Sequence, residues 1–598
     1  MKAGLFALGT LVCATPLFAQ PSRDPLAPLP TPAWARQAAT APDAQRTTPA
    51  SNVTVPRDWR GVFDAIDNGN WASAQAGIAA LPQDVLTPVA KAELYTAKGS
   101  PVVDLGSLQA LIAQAPELPE ANQLALMALK RGATTPPLVI PEKPIYVLGS
   151  SPVRYRTRPI QGEPAADQLR SSLDSMVKAD NASGAEALLI SQGPSLSLEA
   201  RAEAASRVAF IYYVLGLDMD ARRVADTWRQ GATGDWAAQA AWVSGLASWR
   251  LGDYNAASAA FQQVAQFADQ RELRAGGDYW AARAEQAADR PANVERLLRA
   301  AAMAPEGSES FYGLIARETL GMSTKLGGDP FTAYDAQIDR YPNVQRAIEL
   351  ARIGEPALAE QMLQHQAKIG SPSEHHALID LAKRLDLPAA QLWLAKYGQY
   401  GSQADAEDRY PNPHWTPVNG WRVDPALAFG HIVQESAFQR SVVSHAGAVG
   451  LMQVVPDTAQ LVSRNGGIPY SRGALTDPRY NLEFGQSVIE LYRSYSSTAG
   501  QLPRVIASYN AGPLPVAKWA SINDKGDPTL WIESIPYWET RYYVPSVLRN
   551  MWVYQGLDNE DTPTLKAMAE HRWPSFPTGS FGRYGASSGT STARQGDK

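Results

Sequence analysis

Cysteine is almost absent from the sequence, with Cys13 as the only one in 598 residues. It lies inside an apolar N-terminal stretch, so a mature chain that loses this stretch contains no disulfide. This excludes a fold that depends on a disulfide framework. The chain is long enough to build hydrophobic cores of its own and too long for a single core, so we expect two or three domains.

Long apolar runs are also scarce. One run, from Ala3 to Ala19, follows Lys2 and is too short for a membrane-spanning helix. It predicts a secretory signal peptide over residues 1–19, cleaved before Gln20. No second run is long enough to cross a bilayer, so we expect no transmembrane segment in the mature chain. The Pro- and Ala-rich residues 20–56 predict a flexible linker.

The net charge and the spacing of the histidines give no indication of nucleic-acid or metal binding. The net charge is −5, which provides no reason to expect nucleic-acid binding. The seven His residues show no metal-ligand spacing. Asn523, Lys525 and Asp527 faintly resemble a calcium loop, but Pro528 stands where the loop glycine should be. We therefore predict no metal and no cofactor.

Helical periodicity dominates the sequence from Trp59 onwards. Around Gly245, Leu251 and Phe261 the small and aromatic residues fall near the positions of a tetratricopeptide repeat, which predicts helical hairpins over residues 57–400. An irregular helical bundle is the alternative. A different unit follows over residues 401–560, and the Ser-, Gly- and Thr-rich composition predicts a mostly disordered tail over 561–598.

Glu435 is the first candidate for chemistry. Asp424 and Pro425 predict a helix start, with Asp as the N-cap and Pro in the first turn, and Glu435 then falls near the C-terminal end. The helix dipole at that end and apolar neighbours disfavour a carboxylate anion, and both raise its pKa. A raised pKa suits a general acid at neutral pH. The alternative is an exposed Glu that closes a helix.

Three further clusters follow Glu435. Each combines polar side chains with glycine or proline, which lets backbone approach a ligand and points side chains into a cleft. The clusters are Ser444–Gln453, Ala507–Gly512, which contains Tyr509 and Asn510, and Ile535–Arg541, which contains Glu539. No second carboxylate lies close to Glu435 in the sequence, whereas most glycosidases use two.

The four clusters in this order resemble the catalytic domain of soluble lytic transglycosylases, glycoside hydrolase family 23. The resemblance runs from about Tyr410 to Gln555 and extends loosely upstream to Tyr279–Arg283 and Phe311–Ala316. It implies an all-α fold, in which an α-solenoid of helical hairpins precedes a lysozyme-like catalytic domain over 401–560. It also implies a periplasmic enzyme that acts on peptidoglycan glycan strands.

The resemblance implies a mechanism with one acid. Glu435 would protonate the oxygen between N-acetylmuramic acid and N-acetylglucosamine, and would then take a proton from the C6 hydroxyl of the sugar, which closes a 1,6-anhydro ring. Ser444 and Gln453 would contact the sugar. Tyr509 would stabilise charge, and Asn510 would shape that corner of the site.

Several assignments stay open at the sequence level. Glu539 would bind and orient the substrate, or alternatively would form a structural ion pair with Arg541 or another base. His431, one helical turn before Glu435, is either a core histidine or a residue that tunes the acid. Two other functions remain as alternatives: a goose-type lysozyme that uses water as the nucleophile, and a non-catalytic scaffold that binds peptidoglycan.

Overall fold

The computed structural model describes residues 53–326 and 336–577. The predicted signal peptide, all but the last four residues of the predicted linker, and the end of the predicted tail lie outside these residues. Within them no helix has the length and apolar character that crossing a bilayer requires.

The described chain is built from α-helices, which confirms the predicted all-α class. Up to residue 326 the helices are α1 Trp59–Asp67, α2 Trp71–Ala80, α3 Thr87–Thr96, α4 Leu105–Gln114, α5 Ala121–Lys130, α6 Pro164–Lys178, α7 Ala182–Gln192, α8 Leu198–Val214, α9 Asp218–Trp228, α10 Gly234–Leu251, α11 Tyr254–Phe267, α12 Arg271–Ala287, α13 Val294–Ala302 and α14 Phe311–Thr319. From residue 336 they are α15 Pro342–Ile353, α16 Pro356–Ile369, α17 His375–Arg384, α18 Pro388–Lys396, α19 Pro425–Glu435, α20 Pro456–Gly466, α21 Pro478–Arg493, α22 Leu502–Ala511, α23 Pro513–Lys518, α24 Pro528–Glu533, α25 Trp538–Leu557 and α26 Pro563–Ala569.

These helices form two compact units, each made of two separate stretches of sequence. The smaller unit contains residues 53–150 and 336–414, and the larger unit contains 151–326 and 415–577. The linear domain boundaries expected from the sequence, which divide the chain at 57, 401 and 561, stay predictions.

The smaller unit has one hydrophobic core shared by α1–α5 and α15–α18. Trp59, Leu108, Leu350 and Leu378 are among its buried residues. A short antiparallel ribbon closes the unit, in which β1 (Tyr146–Val147) pairs with β2 (Tyr397–Gly398). These are the only strands that the described residues contain.

The larger unit begins with the predicted helical hairpins. Helices α8 to α13 pack consecutively along the chain. Gly245 on α10 lies so close to α11 that an added Cβ would be 2.7 Å from the Phe261 ring. Gly277 on α12 approaches the α11 backbone in the same way, with its Cβ position 2.7 Å from Ala265 N. Small residues therefore set the close spacing of successive helices, as the repeat-like pattern predicted.

A buried carboxylate joins these hairpins to the C-terminal helices of the same unit. Glu533, the last residue of α24, forms an ion pair with Arg154 at 2.6 Å. Tyr312 on α14 donates its hydroxyl proton to the other Glu533 oxygen at 2.5 Å, and Trp242 on α10 donates its indole proton at 3.2 Å. A buried charge needs such partners, because its desolvation is costly.

We expect Arg154→Met to destabilise the larger unit strongly, because it leaves the Glu533 charge buried without its cation. The free energy of unfolding should fall by about 3–5 kcal/mol. Arg352→Met is the matched control: its ion pair with Glu349 has the same kind of geometry at 2.7 Å, but the Arg352 side chain is 68% exposed. The control should change stability by less than about 1 kcal/mol. Urea unfolding followed by tryptophan fluorescence measures both, and equal losses would contradict the expectation.

Candidate active site

Glu435 is the last residue of α19, as the sequence predicted. The Asp424 side chain accepts a hydrogen bond from Ala426 N at 2.8 Å and caps the start of the helix. Immediately after Glu435 the backbone takes left-handed conformations at Ala437 (φ 49°) and Phe438 (φ 66°). Non-glycine residues adopt this region only when the surrounding structure holds them there, and Phe438 is completely buried. The end of the helix is therefore held in one geometry.

The Glu435 carboxyl is poised between its two protonation states. Burial is the largest effect on its pKa and, together with the nearby charge of Glu539, raises the pKa to about 7. A hydrogen bond from the Tyr543 hydroxyl to Glu435 Oε1, at 2.5 Å, acts in the opposite direction by stabilising the anion. A carboxyl with a pKa near neutrality can act as a general acid and then as a general base.

Tyr543 is a site residue that the sequence analysis missed. It is buried on α25 and lies one helical turn after Glu539, so the two side chains point from the same face of that helix. The spacing of Glu539 and Tyr543 is the only local signal that could have identified it. Its partner Glu435 lies 108 positions earlier in the chain.

Ser444 and Gln453 lie in the glycine-containing loop that follows α19. The Ser444 hydroxyl accepts a hydrogen bond from Ala448 N at 3.0 Å. The Gln453 side-chain amide donates to the carbonyls of Val442 at 3.1 Å and Gly450 at 2.9 Å. Both side chains therefore bond to the backbone of their own loop, and these bonds leave the Ser444 hydroxyl proton and the Gln453 amide oxygen unused.

Asn481 hydrogen-bonds to the backbone of the same loop and holds it in place. It is a second residue that the sequence analysis missed. This buried side chain on α21 donates to the carbonyls of Val449 and Leu475 and accepts from Met452 N at 2.8 Å. Gly450 has φ of 78°, and a Cβ there would lie 2.2 Å from Leu475 O. Only glycine fits at this position, because any side chain would meet both strain and backbone.

Tyr509 and Asn510 end α22, next to the left-handed Gly512, as predicted. The Tyr509 hydroxyl donates to Met452 O at 2.8 Å, which connects α22 to the loop. Burial, and then the negative charge of Glu435, hold the pKa of Tyr509 well above its usual range. Tyr509 is therefore a neutral hydrogen-bonding group beside the acid.

Glu539 is held by Asn510, and Arg541 has other partners. Asn510 accepts from the Thr540 hydroxyl at 2.6 Å and hydrogen-bonds to the Glu539 side chain, which lowers the pKa of Glu539 against the larger raising effect of burial. Arg541 donates to Ile535 O at 2.8 Å and lies over the Phe210 ring. The described contacts therefore give no support to the alternative in which Glu539 holds Arg541.

The structure thus brings four of the six predicted site residues into one connected group. Glu435, Tyr509, Asn510 and Glu539 are joined by hydrogen bonds or by their effect on each other's pKa. Ser444 and Gln453 shape the loop that Tyr509 contacts. This arrangement presents one acid of intermediate pKa, a second carboxylate beside it and several neutral donors.

One group in the described part of the chain has the composition of a metal site. His376, Asp405 and Asp408 of the smaller unit place one ligand atom each within 4.8 Å of one another. The Lys383 ammonium already lies 2.5 Å from Asp408 and supplies positive charge there. The absence of a metal cofactor stays a prediction.

Comparison with known proteins identifies the domain that carries this site. Residues 417–532 match the family model described as the transglycosylase SLT domain. Residues 417–532 therefore form a transglycosylase SLT domain. The matched range contains Glu435, Ser444, Gln453, Tyr509 and Asn510, while Glu539 and Tyr543 lie just beyond it.

Two soluble members of the family are similar over part of the chain. The soluble lytic murein transglycosylase of Escherichia coli strain K12 is 28% identical over 291 residues, which cover 44% of this chain and 41% of that protein. The soluble lytic murein transglycosylase of Salmonella typhimurium is 30% identical over 291 residues, which cover 45% of this chain and 42% of that protein. The chain therefore spans less than half the length of these curated relatives.

Two solved structures of the SLT family have the same fold over most of the chain. The lytic transglycosylase Slt of Pseudomonas aeruginosa, solved as an inactive mutant, gives a TM-score of 0.52 at 20% identity and covers 84% of this chain and 86% of its own. The 70 kDa soluble lytic transglycosylase of Escherichia coli gives a TM-score of 0.51 at 18% identity, with 86% and 98% covered. The predicted combination of helical hairpins and a lysozyme-like domain is thereby confirmed.

We expect Tyr543→Phe to raise the pKa of Glu435 above its present value of about 7. The change removes the hydroxyl that stabilises the Glu435 anion while keeping the ring, and the rise should be about one pH unit. The measurement is a ¹³C-carboxyl NMR titration, with Glu435→Gln used to assign the signal. An unchanged or lower pKa in the variant would show that the hydrogen bond does not control the acid.

Proposed function

We propose that this chain is a peptidoglycan lytic transglycosylase that cleaves the β-1,4 bond between N-acetylmuramic acid and N-acetylglucosamine without water. The observation that carries the proposal is the Glu435 carboxyl, whose pKa lies at about 7 at the end of a helix inside an SLT domain. The similar proteins of Escherichia coli and Salmonella typhimurium are lytic murein transglycosylases, which supports the substrate class.

In the proposed first step, Glu435 gives its proton to the glycosidic oxygen. Because the Tyr543 hydroxyl donates to Oε1, the proton of the neutral carboxyl belongs on Oε2, which is then the oxygen that serves the substrate. The glycosidic bond breaks, the departing sugar leaves with its new hydroxyl, and positive charge develops on the anomeric carbon. Tyr509 and Glu539 lie beside Glu435 and stabilise that charge electrostatically.

In the proposed second step, the same carboxylate takes the proton of the C6 hydroxyl of N-acetylmuramic acid. The C6 oxygen attacks the anomeric carbon and closes the 1,6-anhydro ring, so the proton returns to Glu435 and no water is consumed. The substrate supplies its own nucleophile. This is why one catalytic carboxylate suffices, in contrast to the usual pair.

The other predicted residues receive supporting roles in this proposal. Ser444 and Gln453 fix the loop beside the sugar, and the Gln453 amide oxygen can accept a hydrogen bond from it. Asn510 orients Glu539, which binds the substrate. We further propose a periplasmic location, reached through the N-terminal signal peptide, with peptidoglycan glycan strands as the partner.

Mass spectrometry of the fragments released from purified peptidoglycan sacculi tests this function. We expect the wild-type protein to release fragments one water lighter than ordinary reducing fragments, because the ring closure replaces hydrolysis. Glu435→Gln should lower the rate at least about a thousandfold, because the amide can neither give nor take the proton. Glu295→Gln is the matched control, since Glu295 is an exposed residue on α13, and it should keep full activity.

Other outcomes would assign a different function. Reducing fragments that disappear in Glu435→Gln would identify a goose-type hydrolase, and Glu539 would then be the residue to test for activation of water, because its charge reaches Glu435. Binding to sacculi without release of any fragment would identify a scaffold. Either result would overturn the proposed transglycosylase.

A further inference from the structure

His431 is a buried titratable residue that the proposed reaction does not use. It lies on α19 one turn before Glu435 and is 1% exposed. Its Nδ1 is 2.8 Å from Leu427 O. A carbonyl oxygen can only accept, so Nδ1 carries the hydrogen and Nε2 carries a lone pair. Nε2 is also buried, and it has no hydrogen-bond partner among the described residues.

The unpaired nitrogen makes His431 energetically unfavourable in the core, because a buried acceptor without a hydrogen bond loses its solvation. An apolar side chain of similar size would fill the same space without burying an unpaired acceptor. The Nδ1–H bond to Leu427 has a second effect, because it fixes the ring about the Cβ–Cγ bond. The imidazole is therefore a planar ring held in one orientation. A Leu or Met side chain could not present a flat surface of this kind.

The His431 imidazole contacts two aromatic rings, and both belong to the active site. The His431 ring centroid is 4.7 Å from that of Tyr509 and 6.0 Å from that of Tyr543, at interplanar angles of 60° and 62°. Tyr543 is the residue that donates to Glu435, and Tyr509 bonds to the loop. His431 thus touches Glu435's hydrogen-bond partner from the same helix that carries Glu435.

We propose that His431 is a positioning residue for the reaction: its tethered, neutral imidazole holds the Tyr543 ring where the Tyr543 hydroxyl reaches Glu435. The tether to Leu427 and the tyrosine contact connect the α19 backbone to the acid through α25. Only the activity measurement of this proposal rests on the proposed function. The effect of the Tyr543 hydrogen bond is measured separately, through the pKa of Glu435.

The imidazole stays neutral over the working range, so its effect is geometric and not electrostatic. Burial lowers the pKa of His431 to about 4. The titratable groups that face Glu435 and His431 come from three helices and are Tyr543 and Glu539 on α25, Tyr509 on α22, and Tyr492 on α21 behind Tyr509. None of these is a cation, so the Tyr543 hydroxyl is the group among them that lowers the pKa of Glu435.

The test compares His431→Leu, Tyr543→Phe and the double variant. We expect His431→Leu to raise the pKa of Glu435 in the same direction as Tyr543→Phe, by up to about one pH unit. In the Tyr543→Phe background, His431→Leu should add little, because the hydroxyl that it positions is already gone. The pKa is read by ¹³C-carboxyl NMR and by the alkaline limb of the pH–activity profile on sacculi, and both should move to higher pH.

Two controls separate positioning from folding. Phe63→Leu changes a buried aromatic on α1 in the core of the smaller unit, and it should lower stability without moving the pKa of Glu435. His431→Phe keeps a ring but loses the tether, so it should move the pKa less than His431→Leu and remains informative if the Leu variant does not fold.

Specific results would overturn the inference. An unchanged pKa in His431→Leu, with activity lowered at every pH, would mean that His431 only supports the fold. Shifts that add fully in the double variant would mean that it acts on Glu435 without Tyr543. If the wild-type protein releases no glycan fragments, the proposed function fails, while the NMR titration still decides the role of His431.

Discussion

The buried charge of Glu533 is the interaction on which the geometry of the active site depends. It receives Arg154, Tyr312 and Trp242 at the end of α24. The next residue, Ser534, bonds to Tyr213 and Arg250, and Ile535 accepts from Arg541. This turn leads directly into α25. The hairpins of the larger unit therefore hold the start of the helix that carries Glu539 and Tyr543. These two side chains in turn shift the pKa of the Glu435 carboxyl.

The signals that located the candidate acid are local in sequence. Asp424 and Pro425 start α19, and Gly512 ends α22, because capping and left-handed turns depend on a few adjacent residues. Glu435, Tyr509 and their helices could therefore be predicted. The repeat-like spacing around Gly245 was readable for the same reason, since close helix packing requires small residues at fixed intervals.

The residues that complete the site could not be found this way, because their partners are distant in the chain. Tyr543 is 108 positions from Glu435, and Arg154 is 379 positions from Glu533. Asn481 supports a loop 29 to 32 positions before it, from an unremarkable place within α21. No periodic pattern records which distant groups a fold brings together. The discontinuous units have the same origin, since residues 53–150 pack with 336–414 across a long intervening stretch.

The second carboxylate near Glu435 is best understood through its effect on the first. Burial raises the pKa of both Glu435 and Glu539, but only Glu539 receives the Asn510 amide, and only Glu435 receives the Tyr543 hydroxyl. A negative charge on Glu539 favours the protonated form of Glu435, whereas the Tyr543 bond favours its anion. Burial, which is the largest effect, and these two opposing interactions together put the pKa of Glu435 at about 7. A group that must first give a proton and then take one back gains from a pKa at the working pH, so in the proposed reaction Glu539 acts as an electrostatic partner and one carboxyl performs both transfers.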